Sequence, residues 1–300
     1  MPVEAPQKQR DTTGQGKEGG MRLMTFRLKG DAADFQRIGI VTGDAVADMS
    51  ARFADMADML QATMQGAMID LSGATQHALG DIVFLPPTQG VGRVFCIGLN
   101  YGKHVIEAGR ALPDYPSIFM RFHESQVGHE QGIVRPTVSH EFDFEGELAF
   151  VIGRGGRRIA ESAALAHVAG YTCFEDNAVR DWQRHAQQAT AGKNFARSGA
   201  AGPWIVTPDE APALADMAMT TRLNGEVMQS DTPGSLIFPV ERLIAYISSF
   251  TPLHPGDLIA TGSPEGVGAT RDPQVWMTPG DRLEVEISGI GTLSNTVVAE

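Results

Sequence analysis

The chain has 300 residues, with 24 Lys and Arg against 36 Asp and Glu, a formal net charge of -12, 42% hydrophobic and 7% aromatic residues. That balance excludes a protein that tracks nucleic-acid phosphates, which needs a basic face to displace counterions, and no apolar run approaches the ~20 residues of a membrane span. A chain of this length can bury roughly 75% of its unfolded surface, so it needs no disulfide or metal merely to fold.

Residues 1–20 hold four glycines, two prolines and almost no apolar side chains, too little to offset the entropy of ordering them, and read as a disordered extension. Nothing there resembles the apolar stretch of a secretory signal, so the expected location is the cytoplasm. Met21 opens a strand, with Met24, Phe26 and Leu28 on one face. Arg37 to Val41 and Ala45 to Met49 read as a hairpin about Thr42-Gly43-Asp44, and Phe53, Met56, Ala57, Leu60 and Met64 recur at helical spacing. A small N-terminal α+β domain over 21–88 follows, its strands ending near Pro86-Pro87. Beyond it, 89–300 carries many short β-type runs: Val94 to Ile97, Leu148 to Ile152, Trp204 to Thr207, Leu258 to Thr261, Leu283 to Ile287 and Thr292 to Val298. Helical spacing appears only around Ala163 to Val168 and Val240 to Phe250, too rarely for βαβ alternation, so the fold class is β-rich α+β. The repeated Pro-Gly-Asp at 255–257 and 279–281 suits tight turns before strands. Cys96 and Cys173 lie among apolar or aromatic neighbours and read as buried free thiols, which points to a reducing compartment.

Three segments can carry chemistry. In Gly98-Leu99-Asn100-Tyr101-Gly102-Lys103-His104-Val105-Ile106-Glu107 a helix after Tyr101 would pair His104 with Glu107 at i, i+3, either a general-base dyad or a surface ion pair. In Glu141-Phe142-Asp143-Phe144-Glu145-Gly146-Glu147-Leu148 a strand would put all four acids on one face, about 6.5 to 7 Å apart. Such a face is either solvated or holds a cation, and oxygen ligands without His or Cys favour Mg²⁺, Mn²⁺ or Ca²⁺. In Glu175-Asp176-Asn177-Ala178-Val179-Arg180-Asp181-Trp182-Gln183 lies either a third carboxylate with a carboxylate-clamping Arg180 or an Asp-capped helix start. Gly153-Arg154-Gly155-Gly156-Arg157-Arg158 lacks the spacing of a phosphate loop and reads as a basic turn.

In this order these segments resemble the fumarylacetoacetate hydrolase family over roughly residues 91 to 298. Gly192-Lys193-Asn194-Phe195, Leu223-Asn224-Gly225 and Thr261-Gly262-Ser263-Pro264-Glu265-Gly266-Val267-Gly268 resemble further family signatures, with Ser263 where Thr is frequent. The resemblance implies a mixed β-roll catalytic domain, usually a homodimer, with Mg²⁺ or Mn²⁺ (Ca²⁺ as a substitute) held by Glu145, Glu147 and Asp176. Glu141 and Asp143 are not ligands by it and are left solvated or paired with arginines. His104 and Glu107 would lie on a lid, Lys193 would be catalytic, and Tyr101, Arg180, Gln183 and Thr261 would line the pocket of a small anionic 2-oxo acid. Arg121 and His123 fall near the pocket entrance by the same analogy, and Arg197 either replaces a carboxylate-binding hydroxyl or faces solvent.

The expected chemistry is hydrolysis of a 2,4-diketo acid of the acylpyruvate or fumarylpyruvate type. His104, oriented by Glu107, takes a proton from water, hydroxide attacks C4 with Lys193 or Gln183 stabilising the oxyanion, and C3–C4 cleavage gives pyruvate and a carboxylic acid. The alternatives on the same site are oxaloacetate decarboxylation and isomerisation of a 2-oxo diacid by proton transfer. A metal-stapled binding protein without catalysis is the alternative from outside enzymology.

Overall fold

The computed structural model describes residues 20–107 and 109–300, so the extension expected over 1–20 falls almost wholly outside the described residues. Twelve strands form one sheet. Its main path runs Gln76–Ala78, Ala45–Asp48, Arg37–Thr42, Arg22–Leu28, Gly199–Val206, Val168–Glu175, Gly146–Ile152, Leu258–Ala260, Val94–Gly98 and Ser117–Arg121. Pairing along it is antiparallel except where Leu258–Ala260 lies parallel to Val94–Gly98. Residues after 20 therefore join the rest of the molecule through the sheet itself, with Arg22 opposite Val206 and Leu23 opposite Ile205. A second sheet of five strands runs Glu226–Asp231, Met219–Leu223, Arg282–Ile287, Gly291–Ala299 and Gly132–Arg135. The molecule is thus a sheet-rich α+β protein with few helices.

The strand Gly146–Ile152 is buried on both faces, which is why its stretch Leu148–Ile152 is apolar without alternation. Leu148, Phe150 and Ile152 join Leu283, Val285 and Leu293 in a core between the two sheets. Ala149 and Val151 face the other way and pack with Met56, Met59 and Leu60 of the helix Met56–Met64. That helix starts three residues later than the Phe53 spacing predicts, because Asp55 accepts the amide of Asp58 and caps it. The helix Val240–Phe250 forms where its spacing predicts it and buries Val240, Leu243, Ile244 and Ile247. Ala163 to Val168 instead lies in a 3₁₀ segment, Glu161–His167.

Both Pro-Gly-Asp sequences make one kind of turn. Gly256 and Gly280 sit at φ +88° and +100°, and Asp257 and Asp281 accept the amides of His254 and Thr278 three residues back. The basic stretch after Ile152 closes the end of Val240–Phe250: Arg157 Nη1 and the Arg158 amide donate to the Ser248 carbonyl, where the helix dipole favours a cation. Cys96 and Cys173 are both free and buried.

Candidate functional site

The acidic segment does not run as one strand. Phe142–Asp143 and Gly146–Ile152 are separate elements, and the four acids disperse. Glu141 turns to the surface and pairs with Arg184 at 2.6 Å. Asp143 is fully buried, accepting from Arg180 at 2.8 Å and from the amides of Gly268 and Ala269 at 2.7 and 3.1 Å. Glu145 and Glu147 keep to one face, and sheet register adds Asp176 to them. Gly146 lies opposite Glu175 and Glu147 opposite Phe174, while the Asp176 amide donates to the Glu145 carbonyl. Phe174 and Asp176 therefore share the face of Glu145 and Glu147. Ligand atoms of Glu145, Glu147 and Asp176 all lie within 4.8 Å of one another, and all three residues are buried. Asp176 is no helix cap: the short helix Arg180–Gln183 starts from Val179 without a side-chain cap.

Three buried cations surround the carboxylates. Lys193 Nζ donates to Asp176 Oδ2 at 2.8 Å and to the Asp176 carbonyl at 2.5 Å, and lies 2.9 Å from Glu145 Oε2. Arg180 spends Nε on Asp143 and Nη1 on Glu145 (2.6 Å) and on the side-chain Oε1 of Gln183 (3.1 Å), while Nη2 has no partner among the described residues. Arg121 bonds Asp176 Oδ1 at 2.9 Å. Burial would raise the Glu145 carboxyl, but Arg180, Lys193 and His104 outweigh it and hold it down at about 2. Glu147 goes the other way, pushed well above the carboxylate range by burial and by Asp176 and Glu145. Among the described residues its one hydrogen-bond partner is the Gly262 amide, at 2.8 Å. Burial would lower Lys193, yet Asp176 and Glu145 raise it.

The residues expected on a lid come close to the carboxylates, His104 being near enough to lower Glu145. Gly102–Glu107 is helical, with His104 Nδ1 3.3 Å from Glu107 Oε2. The Glu107 carboxylate also accepts the Gly266 amide at 3.1 and 3.2 Å, and Lys103 pairs with Glu265 at 3.3 Å. The start of this segment hangs on Asn100, which sequence reasoning did not single out for a role. Its side chain donates to the carbonyls of Phe238 and Thr261 and accepts the Phe238 amide, tying the segment before Gly102–Glu107 to the loop that holds Glu147 and Glu145. Ser263 Oγ bonds Glu145 at 3.2 Å.

Other expected residues fall differently. Thr261 gives its hydroxyl proton to the Leu148 carbonyl and so does not offer it to a substrate. Tyr101 is fully buried near Glu147 and its hydroxyl has no partner among the described residues. Arg121 does not stand at a pocket entrance: it is buried behind Asp176. His123 meets the Gly92 carbonyl at 3.1 Å, and Arg197 is exposed with its φ at +57°. Asp143 pairs with an arginine, one of the two outcomes expected for it, whereas the support given by Asn100 and the place of Arg121 behind Asp176 carry no signal in spacing, because each acts on a residue distant in sequence.

The donor set fits a hard dication: three converging carboxylates, no His or Cys among them, and one carboxyl short of a cation partner.

Residues 93–298 match the family profile described as fumarylacetoacetate (FAA) hydrolase C-terminal. The mitochondrial oxaloacetate tautomerase FAHD2A of Bos taurus is 36% identical over 290 residues, covering 93% of this chain and 92% of its own. The Homo sapiens FAHD2A is 40% identical over 220 residues, 73% of this chain and 70% of its own. The crystal structure of maleylpyruvate hydrolase from Sphingobium sp. SYK-6 with manganese(II) and pyruvate has a TM-score of 0.77 at 27% identity, covering 93% of this chain and 99% of that one. Fumarylacetoacetate hydrolase from Exiguobacterium antarcticum gives 0.80 at 32% identity, covering 93% and 100%. The cytoplasmic location expected from the sequence is overturned by the curated relatives, since the FAHD2A and FAHD2B proteins of Bos taurus and the Xenopus laevis protein are mitochondrial. The absence of an apolar stretch tests only for a secretory signal, whereas mitochondrial leaders are amphipathic and Arg-rich. No helix of the described residues is long and apolar enough to cross a membrane.

Proposed function

Given that this chain belongs to the fumarylacetoacetate hydrolase family, whose members act on oxo acids, we propose that it is a dication-dependent enzyme that interconverts the keto and enol forms of a four-carbon 2-oxo diacid of the oxaloacetate type. The observation that carries the proposal is a buried triad of carboxylates under a lid that brings a Glu-oriented histidine to it. The names of the tautomerase relatives favour this reading over the hydrolysis expected first. So does Lys193, whose contacts go to Asp176 and Glu145, leaving it no free N–H for an oxyanion.

Glu145, Glu147 and Asp176 would hold Mg²⁺ or Mn²⁺. When bound, the dication supplies positive charge to the carboxylate and keto oxygen of a 2-oxo acid and so acidifies its C3 hydrogens. Glu107 accepts Nδ1–H of His104 and leaves Nε2 as the proton acceptor. His104 takes the C3 proton, the C–H electron pair becomes the C2=C3 bond, and the keto oxygen gains the electron pair of its π bond and receives the proton back from His104, leaving the imidazole neutral. Arg180 Nη2 and the Gln183 amide nitrogen are the donors available to a substrate carboxylate. Glu107, bound to the Gly266 amide, keeps the lid shut against water while the proton moves. Tyr101 remains a protonated donor, because burial and the Glu147 charge raise its phenol well above its ordinary value.

The test follows decay of enol absorbance of oxaloacetate with Mg²⁺ or Mn²⁺, alongside acylpyruvates and fumarylpyruvate assayed for pyruvate. His104→Ala should slow tautomerisation by about 10²–10⁴-fold with metal binding intact. Pyruvate release from acylpyruvates with no effect on oxaloacetate would reject the proposal in favour of hydrolysis. The proposal includes a homodimer, in keeping with the exposed Leu112, Tyr115 and Phe250. Light scattering should then give twice the 32.1 kDa chain mass, and the single mass would refute it.

A further inference from the structure

We propose that Arg121 is a positioning residue for the dication, fixing the carboxylate of Asp176 in the orientation the ion requires. The inference rests on the reading of Glu145, Glu147 and Asp176 as ligands, and is independent of which 2-oxo acid is turned over. Arg121 ends the edge strand Ser117–Arg121, and its side chain is 0% exposed. Nη1 donates to Asp176 Oδ1 at 2.9 Å and to the Asn177 carbonyl at 3.0 Å, Nη2 to Ser198 Oγ at 2.9 Å, and Nε to Ser125 Oγ at 3.2 Å. The two serines and the carbonyl are neutral anchors that set the plane of the fork, so that its one charged contact fixes a single oxygen of Asp176. The other oxygen takes Lys193.

The same strand supports Lys193 as well. Phe119 lies under its ammonium at 5.5 Å, and the Asn194 side chain accepts the Phe122 amide and donates to the Met120 carbonyl, holding the end of the helix Thr190–Lys193 against the open strand edge. Both cations on Asp176 are thereby referred to one strand.

Charge and orientation predict opposite signs. A guanidinium this close repels a dication, so by charge alone its removal should tighten metal binding. If orientation dominates, removal frees the Asp176 carboxylate to rotate, and affinity should fall by the 10–100-fold typical of partners that orient metal ligands.

Mn²⁺ binding to the metal-stripped chain, measured by calorimetric titration, separates them. Arg121→Met should bind Mn²⁺ about 10–100-fold more weakly, and Arg121→Lys, which keeps the charge and loses the fork, should also bind more weakly by more than twofold, with the metal-free melting temperature of the lysine variant close to that of the parent. Should the methionine variant fail to fold, the lysine variant decides alone. An affinity within twofold of the parent, or tighter, in Arg121→Lys overturns the proposal, as does tighter binding in Arg121→Met. Asp176→Asn is the control: unchanged Mn²⁺ affinity there would strike at the ligand assignment instead.

Discussion

Gly262 shows how narrowly one residue can be specified. Its φ is +105°, a Cβ there would lie 2.9 Å from Asn100 Cβ and 3.0 Å from the Ile97 carbonyl oxygen, and its amide is the resolved hydrogen-bond partner of Glu147. Gly262→Ala should destabilise the chain by about 1–3 kcal/mol through backbone strain. It should also weaken Mn²⁺ binding, because the strain falls on the peptide that aims Glu147. Denaturant unfolding and metal titration on one preparation check both, and an alanine variant with parental stability would show that the loop relaxes freely. Glu145 and Glu147, two residues apart, make the complementary point. Sequence cannot tell them apart, yet opposite shifts follow from Arg180 and Lys193 sitting on one and not on the other.

Among elements, the two short helices Arg180–Gln183 and Thr190–Lys193 touch without room for a side chain. A Cβ at Gly192 would come 2.6 Å from the Gln183 amide nitrogen and the Val179 carbonyl oxygen, all backbone and unable to yield. Gly192→Ala should push the helices apart and lift Lys193 from Asp176 and Glu145. The expected result is a folded chain with circular dichroism like the parent but at least tenfold lower turnover; unchanged turnover would mean that Lys193 is placed by Asn194 and Phe119 alone. The elements also divide by what the sequence could say of them. Val240–Phe250 was readable because one face alternates at helical spacing against a core, and the Arg37–Thr42 and Ala45–Asp48 hairpin because Gly43 fits the turn. The acidic stretch was read as a single strand and is broken at Phe144 and Glu145, since Asp143 is drawn to Arg180 and the amides of Gly268 and Ala269.

At the scale of the molecule, the formal charge of -12 has a buried part. Asp143, Glu145, Glu147 and Asp176 face Arg121, Arg180 and Lys193, leaving Glu147 without a cation partner among the described residues, while the neighbouring Glu175 is buried with no partner among them and burial pushes its carboxyl well up. A dication would convert that excess into a positive site suited to an anionic 2-oxo acid. Metal removal should therefore lower the melting temperature, and adding Mg²⁺ or Mn²⁺ at 100 times its Kd should restore about 2.7 kcal/mol; a melting temperature indifferent to chelator and ion would contradict the metal reading. The sequence by itself determined the strand-rich class and the two buried free thiols, and by resemblance pointed to the His104–Glu107 pair and to the three carboxylates that converge, because these depend on local spacing or on motifs that survive in one dimension. Only the tertiary structure decided which acids meet, which cations are spent and which remain free. Asp176 reaches Glu145 through the register of two strands, and Arg121 reaches Asp176 across 55 residues of chain. Contacts of that kind are set by sheet pairing and burial, where the cost of an unpaired charge in a low-dielectric interior selects the partner, and no spacing in the chain records them.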